Sequence, residues 1–478
     1  MTTGPAAPAP TDPPPPPARP PAICCPSRSS FLTGRYLHNS LTFQNAIPDG
    51  CSNSTWAAGP ELRTYAVHAQ AAGYVTSYSG KYLNQYANQH SAGGCAKNGD
   101  KDCYRVPPGW SDWHGLKGNS RYYNGTISNN GNATFHGDDQ VKDYLPDIFW
   151  AHTKAFLAAQ LAKQQAAAAA AAGNAENGNG AAAAAPWLAV LATPSCHGPF
   201  TPAVKYRGRF ADRHAPLTPN FNASTADKSW LMRQQSPLAS TLGVDRTHNA
   251  RWETLLSVDD YVSEAVGMLD AAGQLSNTYI LYTSDHGFQL GQHRLPGDKR
   301  HLYEHNVRIP LVMRGPGIAA GSSVDGIVLN IDVAPTIVDI ATGGDGAGVP
   351  DDMDGRSFLP LLAATRPGVA ASPAPADSWR TDFMVDYHGQ GKPACGLQTC
   401  PPPPADNFHV NDAYNNTYTC VRAFGAGPQN AMYCEFLDDE RFIGGCSSYA
   451  SGRKRMRNAF CVEAPLLLSP LLSCAAPR

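Results

Sequence analysis

Short runs of β-branched and aromatic residues alternate along the chain with longer stretches in which apolar positions recur every three or four residues. Residues 74–79, 187–193, 278–283 and 309–313 read as strands. Val258, Val262, Ala265 and Leu269 step by four, three and four, which puts one apolar stripe on a helix just before the strand at 278. A second helix is predicted over 148–161. Strands alternating with helices imply an α/β fold, a mainly parallel sheet sandwiched by helices. In such sheets the loops leaving the carboxyl ends of strands build the site. Three of them are chemically dense: Gly80-Lys81-Tyr82, Pro194-Ser195-Cys196-His197 and Ser284-Asp285-His286-Gly287.

Three biased segments interrupt this pattern. Residues 1–22 are rich in proline and alanine, and consecutive prolines lack the amide donors of a helix or central strand, so a disordered leader is expected. Residues 164–185 place alanine on both sides of a Gly/Asn core; the first half can extend the preceding helix and the core should break it, giving a surface insertion. Residues 363–378 read as a linker. The expected organisation is a large domain over 23–362, a smaller α+β subdomain over 379–442 and an atypical tail over 443–478.

Composition narrows the function classes. With 478 residues, 42% of them apolar, the chain can bury one large core or two ordinary ones. Lys and Arg total 37 against 39 Asp and Glu, a formal charge of -2, which leaves no electrostatic footprint for nucleic acid. No apolar run approaches the roughly 18 to 20 residues of a membrane span. The 13 cysteines are spread through loop-like regions around Cys51, Cys95, Cys103, Cys395, Cys400, Cys420 and Cys434. They form no CxxC knuckles, so they suit a disulfide-permitting compartment better than a zinc site. Sequons at Asn53, Asn124, Asn132, Asn222 and Asn415 agree. Against them, 1–22 lacks the basic start and apolar core of a signal peptide. The expected location is extracellular, cell-wall-associated or lysosome-like.

The most specific stretch is Cys24-Cys25-Pro26-Ser27-Arg28, continued by Leu32-Thr33-Gly34-Arg35. It resembles the signature of the sulfatase family, C-x-P-S-R followed at fixed spacing by L-T-G-R. The bland alternative is a buried or disulfide-bonded cysteine pair at a Pro-Ser turn. In the family the first cysteine is oxidised after translation to formylglycine, so the resemblance assigns that change to Cys24 and implies a formylglycine-generating enzyme as partner. It covers roughly Ile23 to Tyr433 and implies the alkaline-phosphatase-like form of the α/β fold. Matches at 80–84, 106–110, 119–123, 256–260 and 412–418 point to the branch of N-acetylglucosamine-6-sulfatases and extracellular heparan endosulfatases, hence to a sulfated glycan as substrate.

The chemistry explains the need for such a residue. A serine or cysteine that attacked sulfur would be left as a stable ester, whereas a hydrated aldehyde offers two hydroxyls: one attacks while the alcohol departs, and deprotonating the other expels sulfate. Charge builds on the sulfuryl and leaving oxygens, so cations, a divalent metal and a general acid must be in place beforehand. The resemblance gives Arg28 the formylglycine hydrate to hold, Lys81 the sulfate, His197 the sulfate and departing oxygen, and Lys299 both sulfate and nucleophile. It gives Asp285, His286 and the modified Cys24 a divalent metal, calcium with magnesium as the alternative; a carboxylate suits either ion and an imidazole suits them less well.

Two departures stand out. The family opens with a buried strand ending in Asp-Asp that helps hold the metal, and here the proline leader stands before Ile23, so a weakened calcium site and a sheet short of a central strand are expected. Asp138-Asp139 and Asp351-Asp352 follow no readable apolar strand and are expected to be solvated loop carboxylates. Leucine at position 83, where many arylsulfatases carry histidine, is shared with the glucosamine branch. Two further catalytic readings are an arylsulfatase acting on small aryl sulfates and a phosphomonoesterase or phosphonate hydrolase, the latter disfavoured by Cys24 with Arg28. A non-catalytic reading is an inactive, truncated paralogue that only binds sulfated glycans.

Overall fold

The computed structural model describes residues 23–88, 101–175, 183–233, 235–363, 379–389, 416–424 and 430–436. The leader, the core of the 164–185 insertion, the linker, the tail, and Cys95, Cys395, Cys400, Cys446, Cys461 and Cys474 lie outside them, as does most of the 412–418 motif.

Ten strands are described. Strands β1 (Val75–Lys81), β2 (Asp112–Leu116), β3 (Gly125–Asn129), β4 (Asn132–His136) and β5 (Trp187–Ala192) form one sheet in the order β4-β3-β2-β1-β5. Its heart is parallel, with β1 between β2 and β5, and the β3-β4 hairpin extends it antiparallel at one side. Strands β6 (Ile280–Thr283) and β7 (Leu311–Arg314) pair antiparallel. Strands β8 (Asp382–Tyr387), β9 (Tyr418–Ala423) and β10 (Ala431–Phe436) make a small antiparallel sheet. Among the described residues, β5 pairs only with β1 and β6 only with β7, and a cavity of ≈ 1800 Å³ lies against both strands, lined by Leu188, Val190, Leu281, Tyr261 and Ala265.

The sheet is flanked by the helices Leu145–Ala175 and Leu242–Ala271. The first runs further than its apolar pattern, through the alanine tract to the Gly/Asn core, as expected of good helix formers ahead of a breaker. In the second, the expected stripe Val258, Val262, Ala265 and Leu269 lines the cavity, with Val262 exposed there, while Tyr261 packs on Trp150 and Leu157. The Tyr261 hydroxyl donates to Asp147 where the two helices meet.

Strand β1 ends two residues later than the pattern implied, so Lys81 is the last strand residue, opposite Leu116, and not part of a loop. Gly80 makes that register possible. At φ 123° it lies so close to β5 that a Cβ would fall 2.1 Å from the Ala192 carbonyl oxygen. Beneath the end of β1 sits an aromatic core, with Trp113 against Tyr78 and Tyr82 at centroid separations of 5.1 and 5.2 Å.

Glu61 ties this core together. It is fully buried, accepts from Trp56 Nε1 at 3.0 Å and the Tyr82 hydroxyl at 3.1 Å, and pairs with Arg105 at 2.6 Å. Removing Glu61 strands a partly buried cation and two buried donors, so Glu61→Ala is expected to cost about 3 kcal/mol of stability. Urea unfolding of the variant tests this, and a loss below about 1 kcal/mol would show Glu61 to be dispensable.

The small sheet shares a core with the main body through Phe383, Val385, Tyr387 and Tyr418 against Ile23, Leu329 and Ile331. Arg380 clamps the junction in a two-pronged pair with Asp332, at 2.5 and 2.9 Å. Cys420 and Cys434 are not in loops: they face each other on β9 and β10 and are disulfide-bonded, since directly opposed strand positions bring their Cβ atoms into reach.

Candidate active site

The signature folds as the helix Cys24–Thr33, almost all of whose residues are buried. Pro26 is tolerated because it falls in the first turn, where no intrahelical partner awaits its missing N–H. The Cys25 amide, one of the orphan donors of that turn, is met by Asn45 Oδ1 at 2.8 Å. Gly34 at φ 70° closes the helix with a hydrogen bond to Ser30 O. Arg35 then pairs with Asp352, which Arg63 also holds at 2.9 Å. Asp352 is the exposed loop carboxylate expected, and two guanidinium groups meet on it at the helix end. Asp139 accepts from the amides of Val141 and Lys142 in an exposed turn away from the site. Cys25 is bonded to Cys51 and not to its neighbour, which leaves Cys24 as a buried free thiol.

Cys24 begins the helix, so the partial positive charge of the N-terminus lies on it. Its Sγ is 3.2 Å from His286 Nε2. Burial pushes the thiol up, but the charges of Lys299, Lys81 and His286 outweigh it and hold the thiol well below its ordinary range. His197 shares a side-chain hydrogen bond with the same thiol, and burial lowers the imidazole below its usual value.

The loop after β6 brings Asp285 and His286 to the same point. Gly287 allows it, since a Cβ there would meet the His305 carbonyl oxygen at 2.1 Å. Arg28, one helical turn after Cys24, donates from Nε to Asp285 Oδ2 at 2.8 Å and from Nη1 to Lys81 O at 2.6 Å, so it joins the β1 and β6 ends. Ser27 Oγ adds a donation to Asp285 O. Against burial, His286 and Arg28 hold the Asp285 carboxyl down at about 2.

Lys81 is 1% exposed and donates to Asn119 Oδ1 at 2.8 Å. Burial lowers its ammonium to about 8, with Arg28 and Lys299 adding to the effect and Cys24 and Asp285 opposing it. Lys299 is also buried, 3.3 Å from Asp298 Oδ1, and the negative charges of Cys24 and Asp298 outweigh burial to raise it. The seven side chains expected from the sequence thus meet from three loops, one strand end and one helix, with three cations, one carboxylate and two imidazoles lining the cavity beside the thiol.

Two hydrogen bonds fix the imidazoles. His197 Nδ1 lies 2.7 Å from Gly198 O and His286 Nδ1 2.8 Å from Gly287 O. A carbonyl only accepts, so both Nδ1 atoms carry the proton and both Nε2 atoms are turned toward the thiol. Cys24, Asp285 and His286 offer ligand atoms within 4.8 Å of one another. A carboxylate oxygen and a lone-pair nitrogen converging on one point fit a divalent cation as part of its shell; calcium takes six to eight ligands and needs further oxygens.

Sequence reasoning missed Asn119 and Tyr122. Asn119 holds Lys81, and the Tyr122 hydroxyl donates to His197 O at 2.9 Å and Pro194 O at 3.2 Å, which sets the His197 loop. Both lie in the 119–123 motif, a signal read only as a mark of branch.

Comparison with known proteins agrees with this geometry. A family model described as Sulfatase matches residues 21–344. The N-acetylglucosamine-6-sulfatase of Capra hircus is 38% identical over 96% of this chain and 77% of its own length. The extracellular sulfatase SULF-1 homolog of Drosophila melanogaster is 37% identical over 78% of this chain and 30% of its own. Among solved structures, one described as in complex with its substrate D-glucosamine-2-N,6-O-disulfate superposes with a TM-score of 0.58 at 19% identity, covering 89% of this chain and 84% of the other; at that identity the likeness concerns the fold. Among the described residues no helix is long and apolar enough to cross a membrane.

Proposed function

We propose, since the chain belongs to the sulfatase family and is a sulfuric ester hydrolase, that it removes 6-O-sulfate from N-acetylglucosamine units of a sulfated glycan. The observation that carries the proposal is the convergence of Arg28, Lys81, His197 and Lys299 on Cys24, joined to the name of a relative matched over 96% of the chain. The family works with formylglycine and a divalent metal. For this chain the proposed partners are a formylglycine-generating enzyme acting on Cys24 and calcium held by Asp285, His286 and the modified Cys24, with an extracellular or lysosome-like place of action.

Oxidised to formylglycine, residue 24 supplies a geminal pair of hydroxyls, and a divalent cation supplies positive charge beside the sulfuryl oxygens. The remaining work falls to the chain's own side chains. Lys81 and Lys299 are buried, so their charges act in a low dielectric, where they orient the sulfate and offset the charge that builds on its oxygens. Arg28 orients the end of the signature helix through Lys81 O and Asp285. His197, with Nδ1 committed to Gly198 O, has only Nε2 for proton traffic, and that atom serves the departing oxygen.

Release of inorganic sulfate from N-acetylglucosamine-6-sulfate by the full chain, co-expressed with a formylglycine-generating enzyme and supplied with calcium, tests the proposal. Turnover of 4-nitrophenyl sulfate alone would replace it with the arylsulfatase reading. Retention of a sulfated oligosaccharide with no turnover of any ester would replace it with the binding-only reading.

Lys81 also sets a pH limit. An ammonium held at about 8 is charged below that pH and neutral above it, so kcat/KM is expected to fall as pH rises through about 8, mainly through KM. Lys81→Arg should move the alkaline limb upward, because a guanidinium keeps its charge. An alkaline limb unmoved in that variant would assign the limit to another group.

A further inference from the structure

Beside the catalytic cavity lies a second one of ≈ 770 Å³, whose lining includes Asn84, Gln85, Lys117, Ser120, Arg121 and Tyr123. Ser120 lines both cavities, and Asn119, whose Oδ1 holds the Lys81 ammonium at 2.8 Å, lines the second. The two spaces therefore meet at the residue pair that fixes the sulfate-facing lysine. Among the described residues the lining contains amides, hydroxyls, aromatic rings and the cations Lys117 and Arg121, and no carboxylate.

Asn84 supplies an independent sign of a ligand. Its side chain is 4% exposed and lines the cavity, yet its Oδ1 has no hydrogen-bond partner among the described residues. A buried amide oxygen without a donor costs free energy unless a ligand or water meets it. A sugar hydroxyl is such a donor. Arg121 is exposed with Nη1 3.4 Å from Asn124 O, and Lys117 is half-buried with its ammonium 5.8 Å from the Tyr104 ring centroid; both line the cavity.

We infer that this cavity is a subsite for the next sugar of the glycan, with Asn84 meeting a ring hydroxyl and Lys117 and Arg121 meeting a sulfate or carboxylate on that neighbour. The inference rests on the sulfated-glycan reading and deepens it: the preferred substrate is an anionic oligosaccharide and not a lone sulfated sugar. The volume admits more than one pyranose ring. The 80–84 and 119–123 motifs, each reaching from the catalytic lysine region into this cavity, gain a common role.

Binding to the full-length Cys24→Ala chain tests it, with protein made in a host that adds no N-glycans, because Asn124 at the rim is the acceptor of a sequon. The probes are N-acetylglucosamine-6-sulfate and a heparan-derived sulfated tetrasaccharide, titrated calorimetrically. The tetrasaccharide is expected to bind at least about tenfold more tightly, and Lys117→Ala with Arg121→Ala is expected to erase that advantage while leaving the monosaccharide affinity unchanged. Arg121→Gln alone, at an exposed position that does not threaten folding, should give part of the same loss. Equal affinities for the two probes, or an advantage that survives the double substitution, would overturn the subsite and leave the proposed function standing. Failure of both probes to bind would overturn the glycan reading and the subsite with it.

Discussion

Cys24→Ala is expected to lower sulfate release by roughly four orders of magnitude or more while leaving the fold intact. The side chain is buried at the first position of the signature helix but makes no disulfide; Cys25 takes that role with Cys51. Alanine fits the same space and suits a helix, so the unfolding temperature should move by only a few degrees. Cys24→Ser separates the proposed chemistry from simple nucleophilic attack. A serine hydroxyl beside the same lysines can attack sulfur once, but with a single hydroxyl on its carbon it has no second group to expel the sulfate. Incubation with substrate should therefore leave a covalent sulfate on residue 24, visible in the intact mass, with no sustained turnover. Multiple turnover by Cys24→Ser at wild-type rate would overturn the assignment of residue 24.

Much of the fold was readable because its signals are local. Strands β1, β5, β6 and β7 stand within two residues of the runs that predicted them, since short β-branched runs bounded by breakers leave little else to form. Misreadings arose where a distant partner decides. Lys81 belongs to the strand because Gly80 lets β5 approach; Tyr261 packs into the helix contact because Asp147 waits on another helix. Asp352 is an exposed loop carboxylate as expected, but its pairs with Arg35 and Arg63, some 300 positions earlier, are made only by the fold. The candidate site was legible for a different reason: its side chains lie in fixed motifs at the ends of strands, where spacing along the chain translates directly into position. Asn119 escaped notice because its contact with Lys81 spans the gap between two neighbouring strands, and nothing in the amide itself announces a partner 38 residues away.

Asp285→Asn is expected to be the second most damaging change, lowering sulfate release by roughly 10²–10⁴-fold and raising the calcium concentration needed for what remains. The carboxylate is the sole acidic member of the cluster that could hold a metal among the described residues, and affinity for a hard cation follows ligand charge. Asparagine preserves shape and one oxygen, so a loss of activity reports on charge. It also releases Arg28, whose Nε now donates to Oδ2, and His286, whose raised affinity for a proton depends on Asp285 after the opposing effect of burial. The variant should therefore be less stable as well as less active, because Arg28 and Lys81 are left in one buried region without this counter-charge. Calorimetric calcium titration beside a sulfate-release assay separates the effects. If calcium binds the wild-type chain and the variant equally, Asp285 is a structural partner of Arg28 and the metal lies elsewhere; if binding is lost and activity returns at high calcium, the carboxylate acts through the ion. Its close contact with Arg28 then has a clear purpose: the arginine holds one oxygen of Asp285 and leaves the other directed toward His286 and Cys24, at the point where the family's chemistry takes place.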